Sequence, residues 1–295
     1  MSFRLYAASR NVASSFYATA SVLWQYDEED STVNDRVEIT VTDHVAEVML
    51  NRPEKFNALD IDMFRALDSA ARTVAEDSSV RAVVMHAAGD NFCAGIDIHA
   101  LQTGGEQVVK TLLAPVKDSP ANLAQRAAYA WRELEVPVIC ALQGVTFGGG
   151  LQIALGADLR YATASTRFSV MESKWGLMPD MAFSTTLRHI VPPDRAKELA
   201  WTARIFDAEE ALQLGVITAI EDDPLAAARQ MAAAIRDTSP EAIRGVKRLV
   251  NAAWSLGEKD SLALEATLQG RLLGSACQVE AVRANLEKRR PDFPE

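Results

Sequence analysis

Cysteine, histidine and excess positive charge are all scarce in this chain, and each shortage closes off a class of function. The three cysteines, Cys93, Cys140 and Cys277, form no close pair, so they outline neither a disulfide framework nor a thiolate metal site. The four histidines, His44, His86, His99 and His189, show no His-x-x-x-His spacing, and no metal centre is expected. Lys and Arg total 30 against 40 Asp and Glu, a net charge of -10. So acidic a chain lacks a general attraction to nucleic acid or an anionic membrane, leaving at most a local basic patch for a phosphorylated ligand. No apolar run is long enough to span a bilayer. What is present is ordinary globular material: 295 residues, 48% of them hydrophobic, enough for one large domain or two modest ones.

Acidic residues are also missing from the first 26 positions, which carry Arg4, Arg10 and many Ser and Ala. Two readings stand, a short organellar presequence and an irregular extension that packs loosely. Residues 1–34 are therefore read as an N-terminal extension, 35–222 as the core and 223–295 as a C-terminal helical, oligomerising region. Abundant Ala and a preference for Arg over Lys suggest a GC-rich bacterial source, hence a cytoplasmic protein; a eukaryotic source makes it mitochondrial.

From Val37 the pattern alternates. Val37 to Val41 and Val45 to Leu50 read as a hairpin of two strands, which Asn51-Arg52-Pro53 ends because proline cannot extend a ladder. Asp60 is placed to cap a helix on which Phe64, Leu67, Ala71 and Val74 share a face. Val80 to Met85 and Val136 to Leu142 read as buried strands, Ser119 to Glu135 and Gly150 to Ala157 as helices. Arg160 to Ala162 and Arg167 to Val170 read as short strands. After Pro193 the chain looks wholly helical, and Leu262, Leu268, Leu272, Val279, Val282 and Leu286 form an apolar stripe on one last helix. Strands alternating with helices, then helices alone, predict an α/β core with a helical tail.

Two loops carry the chemistry. Asn91-Phe92-Cys93-Ala94-Gly95-Ile96-Asp97 follows the first buried strand, and Gly144-Val145-Thr146-Phe147-Gly148-Gly149-Gly150 follows the second. A strand that ends in glycine and opens a helix leaves backbone N–H groups unpaired, and two such loops side by side can aim two donors at one oxygen, the geometry of an oxyanion hole. Downstream, Glu172 lies among Val170, Met171 and Trp175, and apolar neighbours raise a carboxyl's pKa and make it a better base near neutrality.

These motifs, with Asn57-Ala58-Leu59, Gly144-x3-Gly148-Gly149-Gly150-x2-Ile153-Ala154-x3-Asp158-x3-Ala162, Phe168-x3-Glu172, Gly176-Leu177-x-Pro179 and Gly215-Val216-Ile217, resemble the crotonase superfamily of enoyl-CoA hydratases and isomerases from Val37 to Glu295. The resemblance implies a spiral of β-β-α turns closed by C-terminal helices. It also implies a homotrimer or dimer of trimers, and an acyl-CoA thioester as substrate with no separate cofactor. It places the thioester oxygen between the N–H groups of Ile96 and Gly149. It assigns CoA and substrate contacts to Lys55, Phe56, Ala58, Ala94, Gly95, Asp97, Ile98, His99, Gly148 and Gln152, although aspartate at 97 also suits a helix cap. Leu101, Leu112, Leu113 and Val116 suggest an apolar tail pocket in a segment, 102–120, that reads as irregular.

The carboxylates depart from the hydratase pattern. Family hydratases use two glutamates around one water; the first position here is Gln152, which cannot take a proton, and the second is Glu172. Asp180 stands where hydratases usually have glycine and where dienoyl-CoA isomerases have an aspartate. Those isomerases carry another aspartate where this chain has Gln152. Asp180 reads either as a proton-shuttling partner of Glu172 or as a cap for a helix from Met181 to Ile190. Three functions stay open: a double-bond isomerase, a hydratase with a degenerate first acid, and an acyl-CoA-binding protein without chemistry.

Overall fold

The computed structural model describes residues 35–294; the expected N-terminal extension, residues 1–34, lies outside them. Strands β1 (Val37–Thr42) and β2 (Val45–Leu50) form the expected antiparallel hairpin. Asp43 and His44 at its turn both have positive φ, as a two-residue turn matched to strand twist requires. Asp60 then accepts a hydrogen bond from the Met63 N–H at 2.9 Å and starts α1 (Ile61–Glu76).

The next turns of the chain repeat one pattern. β3 (Ala82–Ala87) is followed by α2 (Ile98–Leu112) and α3 (Leu123–Glu133), the latter opened by a reciprocal Asn122–Gln125 capping box. β4 (Val138–Leu142), β5 (Val145–Phe147) and α4 (Gly149–Gly156) come next, then β6 (Leu159–Ala162) and β7 (Arg167–Ser169). A single turn α5 (Phe183–Thr186) leads to α6 (Pro193–Thr202), β8 (Phe206–Asp207), α7 (Ala208–Gln213) and β9 (Ala219–Ile220). The tail holds α8 (Pro224–Arg236), α9 (Pro240–Ala253), α10 (Glu258–Leu272) and α11 (Ala276–Glu287).

The strands form two sheets, ordered β1-β2-β3-β4-β6-β9 and β5-β7-β8. From β2 to β9 the larger sheet is parallel. Single parallel bridges, Cys93 to Thr146 and Leu59 to Ile96, carry the smaller sheet's layer back toward the start of α1. The turns that begin at β4 and β6 each lay one strand in each sheet, β4 then β5 and β6 then β7, before their helix. β3 and β4 are buried on both faces, which is why they read as continuous apolar runs. One face meets the main core around Phe64, Trp131 and Phe168; the other, with Ala82, Val84 and Ile139, packs under Ala228 and Ala232 of α8.

Three expectations need correction. The stretch after Pro193 is not wholly helical, since β8 and β9 close the two sheets. The apolar stripe spans two helices, because Gly274 adopts φ 79° between α10 and α11. The segment 102–120 is helical to Leu112, kinked only at Gly105 (φ 53°, ψ -143°).

The end of the chain returns to its beginning. Arg236 and Arg290 pair with Asp43, and Phe293, buried, lies under the Arg81 guanidinium. α9 is anchored by one buried cation: Lys247 Nζ lies 2.7 Å from Asp158 and donates to the carbonyls of Val136 (2.9 Å) and Trp131 (3.3 Å). Replacing Lys247 with Met removes the counter-charge of Asp158, which keeps only the Val138 N–H, and takes a donor from two carbonyls. We expect a loss of about 3 kcal/mol, read as a Tm drop of roughly 6–10 °C, part of which returns when Asp158→Asn removes the unpaired charge.

Candidate active site

Three loops meet at one end of the sheets, and buried amides tie them in series. Asn57, fully buried, accepts from the Arg52 N–H (2.7 Å) and donates to the carbonyls of Ala88 (3.0 Å) and Asn91 (2.8 Å). Asn91 in turn accepts from the Val145 N–H at 3.0 Å. Segments 52–59, 88–97 and 144–150 are therefore one polar network, since each buried group left unpaired costs about 1–3 kcal/mol.

The Leu59 N–H donates to Gly95 O and the Asp97 N–H to Leu59 O, at 2.8 and 2.9 Å. In such a parallel bridge the residue between, Ile96, turns its own N–H to the opposite side. No acceptor among the described residues takes it. Gly149 opens α4, so its N–H has no partner within the helix either. The two loops touch: a Cβ on Gly95 would stand 2.9 Å from Phe147 O and 3.4 Å from Gly149 N, and Gly95 holds φ 90°. A Cβ on Gly149 would meet Leu59 Cδ1 at 2.7 Å and Met181 Sδ at 2.8 Å. Only glycine lets both backbones approach this closely.

Glu172 lies beside Gly148; a Cβ there would be 3.2 Å from its Oε1. That oxygen accepts from Gln152 Nε2 at 2.6 Å, while Oε2 is buried and has no partner. Burial pushes the carboxyl's pKa up and the charge of Asp180 adds to the rise, against the pull of its own backbone N–H and of Gln152. Trp175, expected to cover Glu172, is instead half exposed at 52%; α4 and the Gly148 backbone do that work. Gln152 is itself buried, and its Oε1 accepts from the Met181 N–H at 2.9 Å. Its amide is committed at both ends within the chain.

Asp180 is exposed beside this pair, and the surrounding protein still desolvates its carboxyl and raises its pKa. The capping reading of Asp180 fails. No helix runs from Met181 to Ile190; α5 begins at Phe183, behind Ala182 in the left-handed region (φ 62°), with no side-chain cap.

The remaining residues fall into two groups. Lys55, Phe56 and His99 are exposed, and Ala58, Ala94 and Ile98 half-buried, along the two loops joined by the Ala94 N–H to Phe56 O bond. The Asp97 side chain is engaged elsewhere. It caps α2 through the Ala100 N–H (3.1 Å) and meets Arg52 Nη1 at 2.9 Å. Burial raises its pKa, but these two partners outweigh that and hold it low. Between α1 and α2 runs a groove of about 290 Å³, lined by Leu59, Phe64, Ile96, Leu101, Val108 and Leu112. Of the expected tail-pocket residues, Leu113 is exposed and Val116 packs on the core. Arg52, Asn57 and Asn91 were visible in the sequence only as members of motifs, and their structural roles were missed.

This site sits on a fold with known relatives. The sequence profile of the enoyl-CoA hydratase/isomerase family matches residues 40–295, and the chain belongs to that family. It is 34% identical over 252 residues to the 1,2-epoxyphenylacetyl-CoA isomerase of Escherichia coli, covering 84% of this chain and 94% of that protein. It is 31% identical over 262 residues to the mitochondrial Delta(3,5)-Delta(2,4)-dienoyl-CoA isomerase of Mus musculus, covering 83% and 77%. The solved structure of an enoyl-CoA hydratase from Mycobacterium smegmatis matches with a TM-score of 0.77 at 29% identity, over 88% of this chain and 98% of that one. The chain is thus a crotonase-fold enzyme of isomerase or lyase type, and acyl-CoA binding is consistent with its family. No helix among the described residues is long and apolar enough to cross a membrane.

The raised pKa of Glu172 carries a sign that can be checked. Its folded value lies above the ordinary 4.5, so folding is favoured while it is protonated and penalised as pH rises through the folded value. Glu172→Gln keeps the Gln152 contact and removes the charge. Its Tm should exceed that of the wild type near pH 8, and the gap should shrink toward pH 5.

Proposed function

We propose that the enzyme shifts a double bond within an enoyl- or dienoyl-CoA, with Glu172 as the proton-moving base. The reading is carried by one observation: Glu172 has one oxygen tied to Gln152 and the other buried with no hydrogen-bond partner among the described residues. In this reading the thioester oxygen lies between the N–H groups of Ile96 and Gly149. Glu172 Oε2 takes the proton next to the carbonyl, and the electron pair moves onto the thioester oxygen. The enolate's charge meets preset donors and the positive end of α4. The same carboxyl then returns the proton further along the chain, and the double bond ends in conjugation with the carbonyl.

Water addition asks for more. One group must deprotonate water while another protonates carbon. Gln152, engaged at both ends, supplies no second base, and this favours isomerisation over hydration. Asp180 serves as the second carboxyl where the proton must travel the longer span of a dienoyl substrate, and its charge keeps Glu172 basic. The CoA portion runs along Lys55, Phe56, Ala94 and Ile98, with His99 near its phosphates, Ala58, Gly95, Asp97 and Gly148 beneath it, and the acyl tail toward the groove between α1 and α2. The names of the two relatives that are isomerases support this reading; that of the Mycobacterium smegmatis hydratase keeps hydration as the competing outcome.

Conversion of 3-enoyl-CoA and 3,5-dienoyl-CoA measured beside hydration of crotonyl-CoA tests it. Isomerisation should be the faster reaction, and Glu172→Gln should lose at least ~10²-fold. Asp180→Asn removes a neighbouring negative charge, so the acid limb of the rate profile should move to lower pH. Faster hydration in the wild type, or an active Glu172→Gln, would overturn the proposal.

We also assign the C-terminal helices a role in assembly as a trimer or dimer of trimers. Leu262, Leu273, Val279 and Leu286 are more than half exposed on α10, α11 and the joint between them, an amount of open apolar surface that usually marks a partner. Sedimentation at micromolar concentration should show no monomer.

A further inference from the structure

We propose that Gln152 is a positioning residue: it fixes how the Glu172 carboxyl is turned, and it ties the Asp180 segment to the helix turn that carries the Gly149 N–H. This rests on the reading that Glu172 moves the proton.

The amide's orientation is set by its partners. Nε2 donates to Glu172 Oε1 at 2.6 Å and Oε1 accepts from the Met181 N–H at 2.9 Å. Flipping it would set oxygen against carboxylate and N–H against N–H, so one orientation alone is satisfied. The residue is buried, where an unsatisfied amide is costly and a satisfied one is rigid. A primary amide gives the carboxylate a hydrogen bond while accepting one from a backbone N–H, and it carries no charge that pH could change.

The consequence is geometric. The two oxygens of a carboxylate are equivalent, so what the bond to Nε2 sets is how the Glu172 carboxyl is turned, with its other oxygen left bare. The bond to Met181 fixes the residue that follows Asp180, the charged group whose field reaches Glu172. Gly149 and Gln152 are three residues apart on α4 and share one face. The donor for the substrate's oxygen and the holder of the base are therefore one rigid unit. A misplacement of about 1 Å between them can cost on the order of 10²-fold in rate.

The test uses 3-enoyl-CoA as substrate and three variants, Gln152→Met, Gln152→Glu and Glu172→Gln, with kcat and KM measured across pH. In Gln152→Met, kcat should fall 10- to 100-fold or so with KM within about threefold. Its acid limb should move to higher pH, because a donor that favoured the anion is gone. In Gln152→Glu the two carboxyls hold one proton between them, and that proton does the amide's work until it leaves as pH rises. This variant should gain a descending alkaline limb that the wild type lacks. A merely structural role moves neither limb. Should Gln152→Met fold poorly, the Gln152→Glu profile decides, since one folded protein at two pH values is its own control. Unchanged kcat and limbs in both Gln152 variants beside an inactive Glu172→Gln would remove the positioning role and leave the proposed reaction standing. An active Glu172→Gln would remove both.

Discussion

A single guanidinium stands between the two aspartates that begin α1 and α2. Arg52 lies 2.9 Å from Asp97 and 3.4 Å from Asp60, and each of those carboxylates also caps its own helix. The same group donates to the carbonyl of Ala58. Pull Arg52 out and both helix starts, the Leu59–Ile96 bridge and the walls of the groove lose a common reference point. The gain is in geometry more than in stability, because a buried ion pair surrenders much of its attraction to lost hydration. Its Nε is in fact left without a partner.

The base lives by the opposite rule. Arg52 has opposite charges on two sides, Asp97 and Asp60, whereas Glu172 has an unpartnered Oε2 and stands near a like charge. Stability would be served by giving Oε2 a donor; reactivity is served by withholding one. Glycine makes the same bargain in the backbone: Gly95 and Gly149 give up conformational restraint, and a Cβ on either would strike Phe147 O or the Leu59 and Met181 side chains.

The sequence carried much of this fold, for local reasons. Apolar runs bounded by glycine and proline mark β2 to β4, and Asp60 marks the start of α1 because capping acts over three residues. The paired glycine loops were legible through their order along the chain. What stayed hidden depends on distance or on backbone angles. Gln152 meets Glu172 and Met181, 20 and 29 residues away, so its role as a bridge has no local signature. Asp180 can be read as a cap as well as a partner of Glu172 until Ala182 turns out to be left-handed, with no side-chain cap on α5. Trp175 reads as cover for the site until the chain turns it outward. The helix break at Gly274 was written in the glycine but masked by the apolar period on either side.

The closure of the chain's end onto its first hairpin bears on how the protein is made. Asp43 waits for partners 193 and 247 positions later, and Arg81 waits for Phe293. While the residues from 224 onward are still unmade or held in a ribosome, β1 and β2 can pair, but the contacts from α8, α11 and the tail are all absent. Native structure can therefore be sealed only once these late segments have emerged. Until then the newborn chain presents an outer sheet face that α8 will later cover, and it depends on speed of completion or on a chaperone to stay out of aggregates.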